Sequence, residues 1–290
     1  MAILPDTFCA FILTHGRPDN VRTVDTLKKR GYTGRLYLVV DNEDKTVDRY
    51  RANFGAERVI VFDKLAEANA CDEGNNFDER RTITMARNAC FGIAKRLGAT
   101  HFMELDDDYR SFELRYLNKD GTKLMVKQVG DANQMVLTYL RFFENSGATS
   151  LAFAQGGDFI GGINSGYVVR GMPLIRKAMN SFICSTSRPF RFAGAMNEDV
   201  NTYTTLGSRG SLFFTVPLVA FVQGATQSQP GGITAMYERF GTYCKAFTTV
   251  MMMPSAVHVS MIPGKHRRLH HLIDWSRCVP CIVPERYRHA

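Results

Sequence analysis

Residues 101–109 read HFMELDDDY, an apolar run that passes directly into three consecutive aspartates. By length and neighbours, His101 to Leu105 is a buried β-strand. Upstream of it, Arg80 to Leu97 carries Ile83, Ala86, Cys90, Ile93, Ala94 and Leu97 near helical spacing, and Gly98 closes that helix. Lys64 to Glu79 is polar, contains Gly74-Asn75-Asn76, and is expected to be a mobile loop. Three more apolar runs precede it: Phe8–Leu13, Arg35–Val40 and Arg58–Phe62. They alternate with helical stretches from Asp19 to Arg30 and from Asp44 to Phe54, which end near Gly31 and Gly55. Strands alternating with helices predict an α/β, Rossmann-like, doubly wound and mostly parallel sheet. Ligands of such sheets bind beyond the carboxyl ends of the strands. Residues 14–18, 41–44, 106–108 and the segment before the long helix converge there.

The rest of the chain is less regular. Phe112 to Val126 predicts a hairpin turning at Asn118–Gly121, Asp131 to Asn145 a helix, and Ser150 to Ala154 a strand. The glycine-rich GGDFIGG at 156–162 is followed by a predicted strand, Asn164–Arg170, and a helix, Leu174–Asn180. Asn197-Glu198-Asp199 opens a helix through Leu206, and Leu212 to Val222 reads as a strand. The 290 residues, 45% hydrophobic and 22% charged, suit one α/β domain with insertions and exclude disorder, collagen and coiled coil. No apolar run reaches the roughly 18 residues of a spanning helix. The N-terminus lacks a positive region ahead of its apolar stretch, so no secretory signal is expected. The seven cysteines are odd in number and scattered, which reads as reduced cytosolic thiols. Cys278 and Cys281 form a CxxC with no second pair to complete a zinc site.

Three adjacent carboxylates repel one another unless solvated or neutralised by a cation. In an extended segment Asp106 and Asp108 point the same way and can share a hard divalent ion, while Asp107 faces elsewhere. Mg²⁺ and Mn²⁺ favour a few carboxylates plus phosphate oxygens, so the pattern suits a nucleotide diphosphate. At the first strand–helix junction, Thr14-His15-Gly16-Arg17 lets backbone approach a ligand and offers a cation for phosphate or base. Asp41 can accept hydrogen bonds from a base or ribose, or cap a helix. Arg80 and Arg87 share a helix face. A buried Arg87 needs a partner, either a diphosphate or Asp106 and Asp108. Glu198 and Asp199 either favour their helix N-terminus electrostatically or supply a base that deprotonates a hydroxyl.

Net charge is +8, and half of it comes from residues 264–290, with six Lys/Arg against two acids. A basic excess favours nucleic acid or nucleotide phosphates. Within that stretch Lys265 and the arginines can neutralise a departing diphosphate. His270 or His271 can add a third metal ligand.

Several stretches together resemble one family. They are FILTHGRPDNVRT (11–23), LYLVVDNE (36–43), ARNACF (86–91), MELDDDY (103–109) and NEDVNTYTTLGSRG (197–210). To these are added TQSQPGG (226–232), GTYCKAFTTVMMMPSAV (241–257) and RRLHHLIDW (267–275). The set is similar to the TET-associated glycosyltransferases of bacteriophages, with a GT-A-like fold over nearly the whole chain. The resemblance implies a nucleotide-sugar half, 1–110, and an acceptor-binding half, 111–290, within one domain. It implies transfer of a sugar from a nucleotide-sugar, a UDP-sugar being the expected donor, to 5-hydroxymethylcytosine or another hydroxymethylated base in phage DNA. By the same analogy Asp106, Asp108 and His271 or His270 hold Mn²⁺ or Mg²⁺. Thr14, Gly16, Arg17, Asp41, Arg87, Asp107 and Lys265 serve the donor, and Asp199 or Glu198 is the base. His258 stands where lysine is expected of the family. The implied setting is the cytoplasm of the infected host, with no membrane partner. Other classes weighed are a glycosyltransferase acting on protein or glycan, a nucleotidyltransferase, for which there is no glycine-rich P-loop, and a non-catalytic DNA-binding module.

Overall fold

A computed structural model describes residues 2–72, 74, 80, 82–170, 181–223, 241, 243–262 and 268–280. Strand β1 (Phe8–Leu13) is buried along its whole length, as a central strand must be. Its two faces feed two cores. Phe8, Ala10 and Ile12 join one cluster, while Cys9, Phe11 and Leu13 join the other. Beside it lie β2 (Arg35–Asp41) and β3 (Val59–Phe62) on one flank and β4 (His101–Asp106) on the other, all parallel. The connecting helices are α1 (Arg22–Lys29), α2 (Val47–Phe54), α3 (Lys64–Asn69) and α4 (Thr84–Arg96). Gly31 and Gly55 follow α1 and α2 at φ of 75° and 93°, conformations a β-carbon would oppose.

Beyond β4 come the antiparallel hairpin β5 (Ser111–Leu117) and β6 (Leu124–Gln128), helix α5 (Ala132–Ser146) and strand β7 (Ser150–Gln155). After α6 (Gly166–Arg170) come β8 (Phe182–Ser185), α7 (Glu198–Gly207) and β9 (Phe213–Val222). The nine strands form one sheet in the order β3-β2-β1-β4-β8-β7-β9-β5-β6. Only β8 and β5 run against the other seven, so the sheet is mixed and mostly parallel, as expected. Strands of the second half thus extend the sheet begun by the first. The β7–β9 register slips between Phe153 and Ala154, opposite the stretch containing Pro217, which has no N–H to give the ladder.

Residues of α1, α2 and α5, among them Leu27, Tyr50 and Phe143, fill the first core. Residues of α4 and α7, among them Cys90, Ile93 and Tyr203, fill the second. Helix α8 (Tyr243–Met252) packs on a separate antiparallel hairpin, β10 (Val257–Ile262) and β11 (Arg268–Ile273). Among the described residues no helix is long and apolar enough to cross a membrane.

Three predicted elements differ. The long helix expected from Arg80 begins at Thr84, so Arg80 lies outside it and does not share a helix face with Arg87. The stretch expected to be a loop from residue 64 begins with α3, because Asp63 caps it, its carboxylate accepting from Ala66 N at 3.0 Å. Residues 164–170, expected as a strand, form short helical turns after Gly161 and Gly162, both at positive φ. The expected helix 174–180 lies outside the described residues.

Candidate active site

Parallel pairing aligns Leu13 with both Val39 and Asp106, so β1, β2 and β4 end at one level. Thr14, Asp41 and the aspartate run leave the sheet together. At β1, the buried Thr14 Oγ1 donates to Asp107 Oδ2 at 2.7 Å and meets the Tyr50 hydroxyl at 2.9 Å. Arg17 reaches Asp107 Oδ1 at 3.2 Å, and its backbone N–H donates to the Tyr50 hydroxyl at 2.8 Å. Gly16, at φ 69°, donates its N–H to Asp44 Oδ2 at 2.7 Å. Asp107 therefore turns back into the β1 loop and is held by it. Burial raises its carboxyl above the usual range, against the Thr14 bond and the Arg17 charge.

At β2, buried Asp41 is engaged from two sides, by His15 Nδ1 at 2.6 Å and Lys64 Nζ at 3.3 Å. Burial would raise Asp41, but the His15 bond and the Lys64 charge outweigh it and hold its carboxyl below the usual range. The bond to Asp41 raises His15 against desolvation. Arg80 binds Glu43 at 2.8 Å, on the same rim.

At β4, Asp106 Oδ2 accepts from Gln223 Nε2 at 2.8 Å, and Gln223 Oε1 lies 3.4 Å from Gln155 Nε2. The ends of β7 and β9 thus complete the same rim. Asp108 Oδ1 is buried with no hydrogen-bond partner among the described residues, and burial raises that carboxyl against bonding from Gln223 and the charge of Arg17. Beneath the rim lies Arg87, its side chain 1% exposed. Its guanidinium lies 3.3 Å from Glu198, 3.5 Å from Glu104 and 3.6 Å from Asp106. It stands over the rings of Phe182 and Phe192, 4.9 and 5.5 Å from their centroids. Burial pushes the Glu104 carboxyl up to about 8, opposed by Arg87. Burial likewise raises Glu198.

The structure thus brings Thr14, Gly16, Arg17, Asp41, Arg87, Asp106, Asp107, Asp108 and Glu198 to one end of the sheet. Asp199 follows Glu198 in the first turn of α7. Asn197, just before them, adopts φ 55° and donates its side-chain amide to Lys245 O at 2.7 Å and Thr249 Oγ1 at 3.0 Å. His271 lies on β11. It is buried with Nδ1 3.4 Å from Asn197 Nδ2, at the junction of α7, α8 and β11. Among the described residues no three His, Cys, Asp or Glu side chains gather into a group that can hold a metal. Its neighbour His270 is half-buried and His258 is exposed, while Lys265 lies outside the described residues. Arg87 faces three carboxylates. Sequence reading missed Glu104, Gln223, Lys64, Tyr50 and Asn197. Only Glu104, a charge inside an otherwise apolar strand, carried a local signal.

The sequence profile of the TET-associated glycosyltransferases matches residues 8–232. The chain belongs to that family. This TET-associated glycosyltransferase is accordingly a glycosyl-transferring enzyme, built here on a mixed, mostly parallel α/β sheet. No curated protein matches it. It is similar to glucosyl-3-phosphoglycerate synthase from Mycobacterium tuberculosis, solved with Mg²⁺ and UDP: 12% identity, 92% of this chain and 87% of that one, TM-score 0.46. It is also similar to a mannosyltransferase from Pyrobaculum calidifontis, solved with GDP-mannose and Mn²⁺: 12% identity, 78% and 60% covered, TM-score 0.46. The S. aureus protein TarS is similar at 12% identity, with 74% and 60% covered and a TM-score of 0.41.

Proposed function

We propose that this enzyme transfers the sugar of a nucleoside-diphosphate sugar, a UDP-sugar first among candidates, to the hydroxyl of 5-hydroxymethylcytosine or a related hydroxymethylated base in phage DNA. Its setting in this reading is the cytoplasm of the infected host. The observation that carries the donor side is the β4 terminus. There Asp106 and Asp108 share Gln223, and Asp108 keeps one buried carboxylate oxygen without a hydrogen-bond partner among the described residues. A buried carboxylate lacking a donor is destabilised as an anion, and a hard divalent cation relieves it. The two residues therefore fit Mn²⁺ or Mg²⁺, which when bound supplies positive charge against the departing diphosphate.

Thr14, Gly16 and Asp41 shape the nucleotide side of the rim, with Asp107 fixing Arg17. Arg17, 28% exposed, offers the donor a positioned cation. On the acceptor side the hydroxyl oxygen bonds to the anomeric carbon as the bond from that carbon to the diphosphate breaks. The hydroxyl proton passes to a carboxylate at the start of α7, Asp199 or Glu198. Glu198 is engaged by Arg87, and Asp199 stands beside it. In this division residues 1–110 serve the donor and 111–290 the acceptor. The basic stretch 264–290, including Lys265, favours the DNA phosphates. A base inside a duplex must leave the stack to reach such a rim.

Donor turnover with Mn²⁺ tests the metal reading. Chelation, Asp106→Asn or Asp108→Asn is expected to lower turnover about 100-fold or more while the far-ultraviolet spectrum is kept. A fully active Asp106→Asn/Asp108→Asn double variant would end it.

A further inference from the structure

Arg87 sits where three elements meet, and each of its nitrogens faces a different carboxylate. Nε faces Glu198 of α7, Nη1 faces Glu104 in the middle of β4, and Nη2 faces Asp106 at the end of β4. The guanidinium itself rises from α4. A guanidinium presents its donors in a rigid planar fork, so it holds three acids in set directions, whereas the three donors of an ammonium rotate freely. Asp106 is meanwhile held from its other oxygen by Gln223 at 2.8 Å. The carboxylate at the head of the DxD pair and the acid that opens α7 therefore share one buried cation.

We propose that Arg87 is a positioning residue that couples Asp106 to Glu198, linking cation occupancy at the donor side to the placement of the acidic pair at the acceptor side. This rests on the reading that Asp106 and Asp108 hold a divalent ion. A cation at Asp106 competes with Arg87 for that carboxylate, and the guanidinium then turns its charge to Glu198, tightening the first turn of α7. The coupling is reciprocal. Removing the charge of Glu198 leaves Arg87 pulling harder on Asp106, so the divalent ion binds more weakly although Glu198 does not touch it. Replacing Arg87 by lysine keeps the charge but frees the Asp106 carboxylate to rotate, which also weakens the ion.

The test is Mn²⁺ titration by calorimetry of the whole protein as wild type, Arg87→Lys, Glu198→Gln and the double variant. Each single substitution is expected to weaken Mn²⁺ about tenfold, and the double no further than Arg87→Lys, as for residues in one network. Unchanged affinity in Glu198→Gln, or losses that multiply in the double variant, overturns the coupling. Glu198→Gln is nearly isosteric and carries the test alone if Arg87→Lys does not fold. A wild type that binds no Mn²⁺ overturns the metal reading itself, a result distinct from unaffected variants. Kinetics give a second readout. Arg87→Lys is expected to lower kcat while donor KM at saturating Mn²⁺ holds. A raised donor KM with unchanged Mn²⁺ affinity would instead place Arg87 on the donor.

Discussion

His15 meets Asp41 at 2.6 Å with about half its side chain in solvent, and the bond moves both groups away from their ordinary titration. His15 is raised, so its contribution to stability is full below the ordinary histidine value of about 6.5 and fades as pH rises through the raised value. Asp41 is lowered, so its contribution is full above the ordinary aspartate value of about 3.9 and fades only as pH falls through the depressed value. The pair is therefore worth most between those limits. His15→Gln is expected to lower Tm more at about pH 5.5 than at pH 9, and an equal loss at both would contradict the assignment. Thr14 makes a second residue-scale case. Thr14→Val removes the bonds to Asp107 and Tyr50 and strands a buried carboxylate oxygen. That should cost about 1–3 kcal/mol in urea unfolding, whereas a neutral result would mean solvent reaches Asp107. At this scale the aspartate run was legible as a carboxylate cluster at a strand end, although 107–108 form a turn rather than the expected extended strand and it is Gln223 that both Asp106 and Asp108 meet. Gln223 and Lys64 were not, because their approach depends on strand order and a short helix far away in sequence. The surroundings of His271 were hidden for the same reason. Its adjacency to a basic stretch says nothing about β11 pairing His271 with Val259 and burying it against Asn197.

Helix α7 begins at an unusual joint. Asn197 holds φ 55°, a conformation that costs most residues with a β-carbon about 1–2 kcal/mol, and its amide bonds the backbone of Lys245 and the hydroxyl of Thr249. Asn197→Ala should lose both the bonds and the backbone comfort, while Asn197→Gly loses only the bonds. Denaturant unfolding is expected to rank wild type above Asn197→Gly above Asn197→Ala, and transfer rates should follow, since the joint sets where Glu198 and Asp199 stand. An alanine variant more stable than the glycine one would show that the joint carries no strain. The first four strands and α5 were readable because buried runs and helical spacing contrast with their turns. Strand β8 was missed because Phe182–Ser185 is four residues long, fully buried, and has no alternation to show. The hairpin β10–β11 was missed because Met261, Leu269 and Leu272 are exposed apolar residues, which blurs the period of two.

Across the whole molecule the net charge is +8, concentrated toward the end of the chain, while the candidate catalytic rim is rich in carboxylates. In the proposed function, a DNA acceptor would bind through its phosphates on the basic part and present one base to the acidic rim. Anisotropy with labelled DNA should show affinity falling about linearly in log–log salt, and salt-independent binding would argue against a phosphate-based surface. The most direct test of the whole account is a transfer assay with Mn²⁺ and a panel of nucleotide-sugars. The acceptors are DNA containing 5-hydroxymethylcytosine and the same DNA unmodified, digested to nucleosides for mass spectrometry. The account predicts a sugar mass increment on the hydroxymethylated nucleoside alone, lost on chelation. Metal-dependent donor hydrolysis with no increment on any DNA nucleoside would contradict the DNA acceptor, and no donor turnover at all by the folded protein would contradict the proposed site.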